Sequence, residues 1–252
     1  MIARDELAVY LSEYLVCDGF NDYAPNGLQI EGAINIHRIC TAVTASADVI
    51  KKASSWKADA ILVHHGYFWK GEEAVITGMK RARIGEIIVH NINLFAYHLP
   101  LDCHPIVGNN ACLGRLFDVD AVRSHQVNKT DNLLMSGVLA RPLTAVNFAA
   151  YVGEKLKRKP LHVSGSDKLI HRIAWCSGAA QDFIEDAYRL GADAYLSGEI
   201  SERTYYQAKE LGIHYFACGH HATERYGVQA LGAHLSERYG LEHLFIDNDN
   251  PV

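Results

Sequence analysis

Ala58-Asp59-Ala60-Ile61-Leu62-Val63-His64-His65-Gly66-Tyr67-Phe68-Trp69 reads as a buried strand that ends in two imidazoles and a glycine. The short aliphatic run Ile61-Leu62-Val63 has the length and composition of a strand covered on both faces. In an open α/β sheet, ligands bind at the carboxyl ends of the strands. Neutral imidazole is the commonest metal-ligating side chain. Successive strand residues point to opposite faces, so two consecutive histidines share a site only if the strand stops before them. Gly66 permits that bend. On this stretch alone, two unrelated polar residues at a strand end remain the alternative.

Upstream, Leu7, Leu11 and Leu15 recur at helical spacing and predict a helix over Arg4 to Leu15. Asp22 to Gly32 reads as a loop with a tight turn at Asn26-Gly27, whose Asn and Gln are turn formers or ligand contacts. A strand over Ile39 to Thr44 and a helix near Ala47 to Trp56 precede the opening stretch. Downstream, helical spacing covers Met79 to Val89, and a strand over Asn93 to Tyr97 runs into His98-Leu99-Pro100-Leu101-Asp102. Pro100 there argues against regular structure. Asn109 or Asn110 is the expected cap of the next helix. A strand-like Leu133 to Leu139 and a helix Val146 to Leu156 follow.

The second half repeats the first. Residues 37–60 align without a gap on 171–194 with ten identities in 24, among them His37-Arg38-Ile39 on His171-Arg172-Ile173 and Ala58-Asp59-Ala60 on Ala192-Asp193-Ala194. In that frame His64-His65 falls on Gly198-Glu199. Ile213 to Cys218, ending in Gly219-His220-His221, resembles Ile92 to Tyr97 ending in His98. The pattern implies an α/β protein of two similar lobes arising by internal duplication. Alternating strands and helices imply mainly parallel sheets, with a site in the cleft between the lobes. The expected division is 1–125 for the first lobe, with His64, His65, His98 and Asp102, and 126–252 for the second, with Glu199, His220 and Glu224. That boundary is approximate, and the C-terminal segment is free to pack on the first lobe.

If a helix begins at Gly219, His220 and Glu224 share one face. His64, His65, Asp102, His220 and Glu224 then make three imidazoles and two carboxylates, with His98 a further candidate. One catalytic zinc takes three protein ligands, whereas five or six suit two metals about 3.5–4 Å apart with a bridging carboxylate. The mixed nitrogen and oxygen set fits zinc, iron or manganese. The six cysteines are scattered without a Cys-x-x-Cys pair, as expected of reduced thiols in a cytoplasmic protein. A net charge of −5 gives no basic footprint for nucleic acid. No apolar run reaches the length of a membrane span, and the first residues lack a signal peptide's apolar core.

Val63-His64-His65-Gly66-Tyr67-Phe68-Trp69-Lys70, Tyr97-His98-Leu99-Pro100-Leu101-Asp102, Gly219-His220-His221-Ala222-Thr223-Glu224-Arg225 and Asn26-Gly27-Leu28-Gln29 together resemble the Nif-three-like family. Its members are often called GTP cyclohydrolase I type 2 homologues. Pro25 before Asn26 departs from the Asp-Asn-Val-Gly form common in that family. The resemblance implies a dinuclear centre between two α/β lobes and a toroidal homohexamer, with ligands falling on His64, His65, Asp102, His220 and Glu224. It makes a metal-dependent hydrolase the first expectation, with His98 and Glu199 as proton-transfer groups. The substrate is then a purine nucleotide or another phosphorylated small molecule, although no Gly-x-x-x-x-Gly-Lys loop is present. The alternative is a non-enzymatic ring that handles metal or binds a partner.

Overall fold

The computed structural model describes residues 1–252. Its strands are β1 (Ile2–Ala3), β2 (Gly27–Ile30), β3 (Asn35–Ile36), β4 (Arg38–Thr44), β5 (Ala60–His65), β6 (Asn93–Ala96), β7 (Asp120–Val127), β8 (Thr130–Leu143), β9 (Leu161–Val163), β10 (Ile170–Trp175), β11 (Ala194–Ser197), β12 (His214–Ala217) and β13 (Glu242–Phe245). The chain divides into two compact units. One comprises Met1–Leu101 with Gly227–Asp249, the other Asp102–Tyr226 with Asn250–Val252. The sequence pattern suggests a single boundary near residue 125. The structure places the break after Leu101, and β13 returns to pair in parallel with β4, as the expectation for the C-terminal segment allowed.

The first unit is built on a sheet of order β13-β4-β5-β6-β2, parallel except for β2 at one edge. Strand residues Cys40, Ala42, Ile61 and Val63 form a core with Val49, Ile50 and Ala53 of helix Ala47–Ser55 and Ile84 and Ile87 of helix Gly78–Val89. The first helix begins where the Ser46 hydroxyl accepts the Val49 N–H at 3.3 Å, an N-cap that fixes how the chain leaves β4.

The second unit has the sheet order β7-β8-β10-β11-β12-β9. Only β10, β11 and β12 are parallel, and β7, β8 and β9 run antiparallel to their neighbours. The expectation of mainly parallel sheets therefore holds in the first unit and fails at the flanks of the second. The reason is local. Asn128 and Lys129 both take positive φ, 48° and 63°, and form the tight two-residue connection that returns β8 alongside β7. Phe148, Val152 and Leu156 of helix Ala145–Leu156 pack on Ile173, Trp175, Leu196 and Phe216 to make this unit's core.

Both units contain one recurring arrangement. Asp59 Oδ2 accepts the N–H groups of His37 and Arg38 at 2.8 and 2.9 Å. Asp193 Oδ2 accepts those of His171 and Arg172 at 3.0 and 2.8 Å. Ile39 pairs with Ala60 as Ile173 pairs with Ala194. The N–H of Asn93 reaches the Asp59 carbonyl at 2.9 Å, as that of His214 reaches the Asp193 carbonyl at 3.0 Å. A carboxylate thus anchors the start of two parallel strands in the same register twice. No helix is long and apolar enough to cross a membrane, and all six cysteines are free thiols.

Candidate metal centre

In the first unit β5 runs through His64 and His65 and does not stop before them. Their rings nevertheless lie 4.6 Å apart. Pairing explains this: β5 bonds to β6 only as far as Val63, while the β4 ladder continues to His65. The last two residues are held on one edge and are free to twist. His98 joins them, with ring centroids 5.0 Å from His64 and 5.8 Å from His65. One ligand nitrogen of each ring lies within 4.8 Å of the others.

Each ring is oriented from behind. His64 Nδ1 lies 2.9 Å from the Tyr97 carbonyl and His98 Nδ1 lies 2.7 Å from Asp22 Oδ1. Those partners only accept, so Nδ1 carries the proton in both rings and the lone pair of the neutral ring sits on Nε2. His65 Nδ1 lies 3.2 Å from the Thr44 hydroxyl, which admits the same tautomer.

The loop before β2 supports this arrangement. Asn26 and Gln29 neither form a simple turn nor stand free for a ligand, and Gly27 opens a strand antiparallel to β6. Asn26 Oδ1 accepts the His98 N–H at 2.7 Å. Gln29 accepts the Tyr67 N–H at 2.8 Å and donates to the Tyr67 and Pro25 carbonyls. Gly66 is required here because a Cβ would sit 2.3 Å from Gln29 Oε1. Asp22, which sequence reasoning passed over, has a side chain only 3% exposed. Burial alone would raise its carboxyl. Bonds from His98, Asn26 and the Tyr23 N–H outweigh burial and hold it below the usual range.

At the end of the first unit's long segment, Pro100 does not break the chain. It lies in the first turn of helix Leu99–Cys103, where no intrahelical N–H is needed. Asp102 at the end of that helix is buried, and its Oδ1 accepts from Asn109 Nδ2 at 2.9 Å and Ser177 Oγ at 2.8 Å. Asn109 therefore does not cap the next helix. Neither does Asn110, which accepts the Ser177 N–H and donates to the Leu133 carbonyl; Gly108 stands at the N-cap.

Helix His220–Tyr239 begins at the predicted place. His220 Nδ1 lies 2.7 Å from Glu199 Oε1, and Nε2 lies 3.1 Å from Glu224 Oε1. Burial alone would lower the His220 pKa, but Glu224 and Glu199 push it up to about 9. Glu224 is 2% exposed and packs on Gly178, whose φ is +66° and whose Cβ would lie 2.3 Å from Glu224 Oε1. Asp102 and Glu224 have carboxylate oxygens within 4.8 Å of one another.

The donor set suits a divalent cation. Two adjacent buried carboxylates repel each other unless a proton or a cation lies with them. Imidazoles whose distal nitrogens are already bonded present their lone pairs inward without further reorganisation. Of the predicted residues, His64, His65 and His98 converge within the first unit, and Asp102, Glu199, His220 and Glu224 lie together in the second. Asp22, Thr44, Ser177, Asn109 and Gly178 were not anticipated. Of these, only the turn chemistry around Asp22 left any trace in the sequence.

Residues 2–251 match the family model described as Duf34/NIF3 (NGG1p interacting factor 3). A Vibrio cholerae protein named GTP cyclohydrolase 1 type 2 homolog is 50% identical over 249 residues, 98% of each chain. A solved structure of the protein ybgI, described as of unknown function, is 43% identical with a TM-score of 0.94 over 100% of both chains. A structure from Thermus thermophilus is 31% identical with a TM-score of 0.90, again over 100% of both.

Proposed function

The chain belongs to the Duf34/NIF3 family, and on that premise we propose that it is a metal-dependent hydrolase with a dinuclear centre. His64, His65, Asp102, His220 and Glu224 would hold its ions. The observation that carries this reading is the close set of His220 Nε2 and Glu224 Oε1, 3.1 Å apart, with an Asp102 carboxylate oxygen within 4.8 Å of one of Glu224. Such a set marks a place where the protein's own charges call for a cation. Two ions of zinc, iron or manganese supply there a lowered pKa for water and stabilisation of developing negative charge.

The remaining work falls to the chain. Glu199 holds His220 through Nδ1 and fixes the direction of its other nitrogen. Asn109 and Ser177 hold Asp102 through Oδ1 in the same way. Two carboxylates offset only part of the charge of two divalent ions, so the remaining positive field favours an anionic substrate. The name given to the relatives makes a purine nucleotide the first substrate class to test. The matched registers of β4–β5 and β10–β11 support an internal duplication. A toroidal hexamer rests on the family resemblance alone.

The test is turnover of purine nucleotides and small phosphoesters by the metal-loaded protein. Hydrolysis that stops on chelation and returns with one metal supports the proposal. Stoichiometric metal binding with no turnover across the panel favours a metal-handling or partner-binding ring instead.

A further inference from the structure

Between Gly66 and Trp69 the first unit does something that the second does not. In the aligned halves Glu199 stands where His65 does, and two residues later Ser201 already caps helix Glu202–Leu211. After His65 the chain instead makes a strained turn. Phe68 takes a φ of +66°, a conformation unfavourable for a bulky side chain. The turn is nonetheless tied throughout. The Trp69 N–H donates to Glu72 Oε2 at 3.1 Å, and its carbonyl accepts the Glu72 N–H at 2.9 Å. The Lys70 N–H reaches the Tyr23 carbonyl at 2.6 Å. The indole N–H donates back to the Gly66 carbonyl at 3.2 Å.

These bonds bring the Trp69 ring to 5.1 Å from the ring of His98 and 5.8 Å from that of His65. Tyr23, 62% exposed, approaches His98 at 6.5 Å. The three contacts have interplanar angles of 82°, 55° and 68°, so neither Trp69 nor Tyr23 is stacked flat on an imidazole. Phe68 differs, because Lys80 Nζ lies over its ring at 5.1 Å. Strain kept at a turn that the other unit does without points to a use for what the turn presents. What it presents is an aromatic wall beside the imidazoles. A small phosphoester without a ring would gain nothing from that wall, whereas a flat heteroaromatic ring stacks on it whatever groups its edge carries.

We propose that Trp69, with Tyr23, is the subsite that receives a planar heteroaromatic ring of the substrate, a nucleobase, next to the imidazoles of His65 and His98. Its place in a reaction rests on the hydrolytic reading above; its preference for a ring does not.

The experiment titrates the full chain, zinc-loaded and metal-free, with guanosine 5′-monophosphate and with ribose 5-phosphate, which lacks the base. Calorimetry gives the affinities, and indole emission reports on Trp69. In every state that binds, guanosine 5′-monophosphate should bind roughly 5–150-fold tighter than ribose 5-phosphate, the range that stacking on one aromatic side chain supplies. Trp69→Leu should bring the two affinities together while sparing ribose 5-phosphate binding and zinc content, and Trp69→Phe should keep the preference. The nucleotide should quench indole emission in the unaltered chain and in Trp56→Phe, whose ring lies under Arg38, but not in Trp69→Phe. Should Trp69→Leu fail to fold, the quench in Trp69→Phe decides.

Equal affinities for the two phosphates, no binding of either in either state, a preference that survives Trp69→Leu or a quench that survives Trp69→Phe overturns the proposal. The hydrolytic reading fails separately. A chain that holds no zinc but prefers the nucleotide keeps the subsite and loses the hydrolase. A zinc-loaded chain that hydrolyses phosphoesters with no preference for a base keeps the hydrolase and loses the subsite.

Discussion

At the scale of single residues, the site depends on side chains that hold other side chains. Gly178 is the clearest case, since its backbone has positive φ and its missing Cβ leaves room for Glu224. Gly178→Ala should cost about 1–3 kcal/mol of stability by overpacking and strain and should reduce metal content. Gly85→Ala, in a helix with open space around it, should instead be neutral or add about 0.5–1 kcal/mol. Urea unfolding of both variants checks the pair. His220 gives a pH signature. Its pKa in the folded metal-free chain is about 9 against an ordinary 6.5. Its contribution to stability is therefore complete below about pH 6.5 and is lost as pH rises through about 9. Metal binding must displace that proton, so affinity should strengthen over the same interval. The metal-free chain should melt lower at pH 10 than at pH 6, and His220→Ala should lack this component. Residues bearing the chemistry were legible because imidazoles and carboxylates at strand ends stand out. Residues behind them were not. Asp22 and Ser177 look like turn formers until distant chain folds against them, and Gly178 is demanded only by the position of Glu224.

At the scale of elements, the parallel strands β4, β5, β10 and β11 could be read from aliphatic runs and from the repeat. β7 could not, because it is exposed along nearly its whole length and so has no buried face to impose alternation. The hairpin that brings it to β8 turns on Asn128-Lys129, which lacks the glycine that usually announces such a turn. β5 runs farther than the sequence pattern predicts for a related reason. Periodicity reports which face a residue occupies, not whether a strand has lost one neighbour and can twist. Asp59 and Asp193 belong to this scale, each tying two N–H groups at the start of a parallel pair. Asp59→Ala and Asp193→Ala should each destabilise by about 1.5–3 kcal/mol. Comparable losses in denaturant titrations would show that the two positions do the same work in their own units. A large loss at one and none at the other would separate them.

At the scale of the whole molecule, the net charge is −5 and the family match spans residues 2–251. Assembly is where the sequence is silent, since no pattern of exposed residues specifies a ring. The resemblance leads to the expectation of a hexamer mass by light scattering at working concentration, and a monomer would remove that part of the proposal. The central claim, two metals held by five side chains, is tested most directly by elemental analysis of protein loaded with a single divalent metal and freed of excess. About two ions per chain are expected, with a clear fall in His65→Ala and in Glu224→Gln. One ion or none in the unaltered protein, with the same content in both variants, would contradict it.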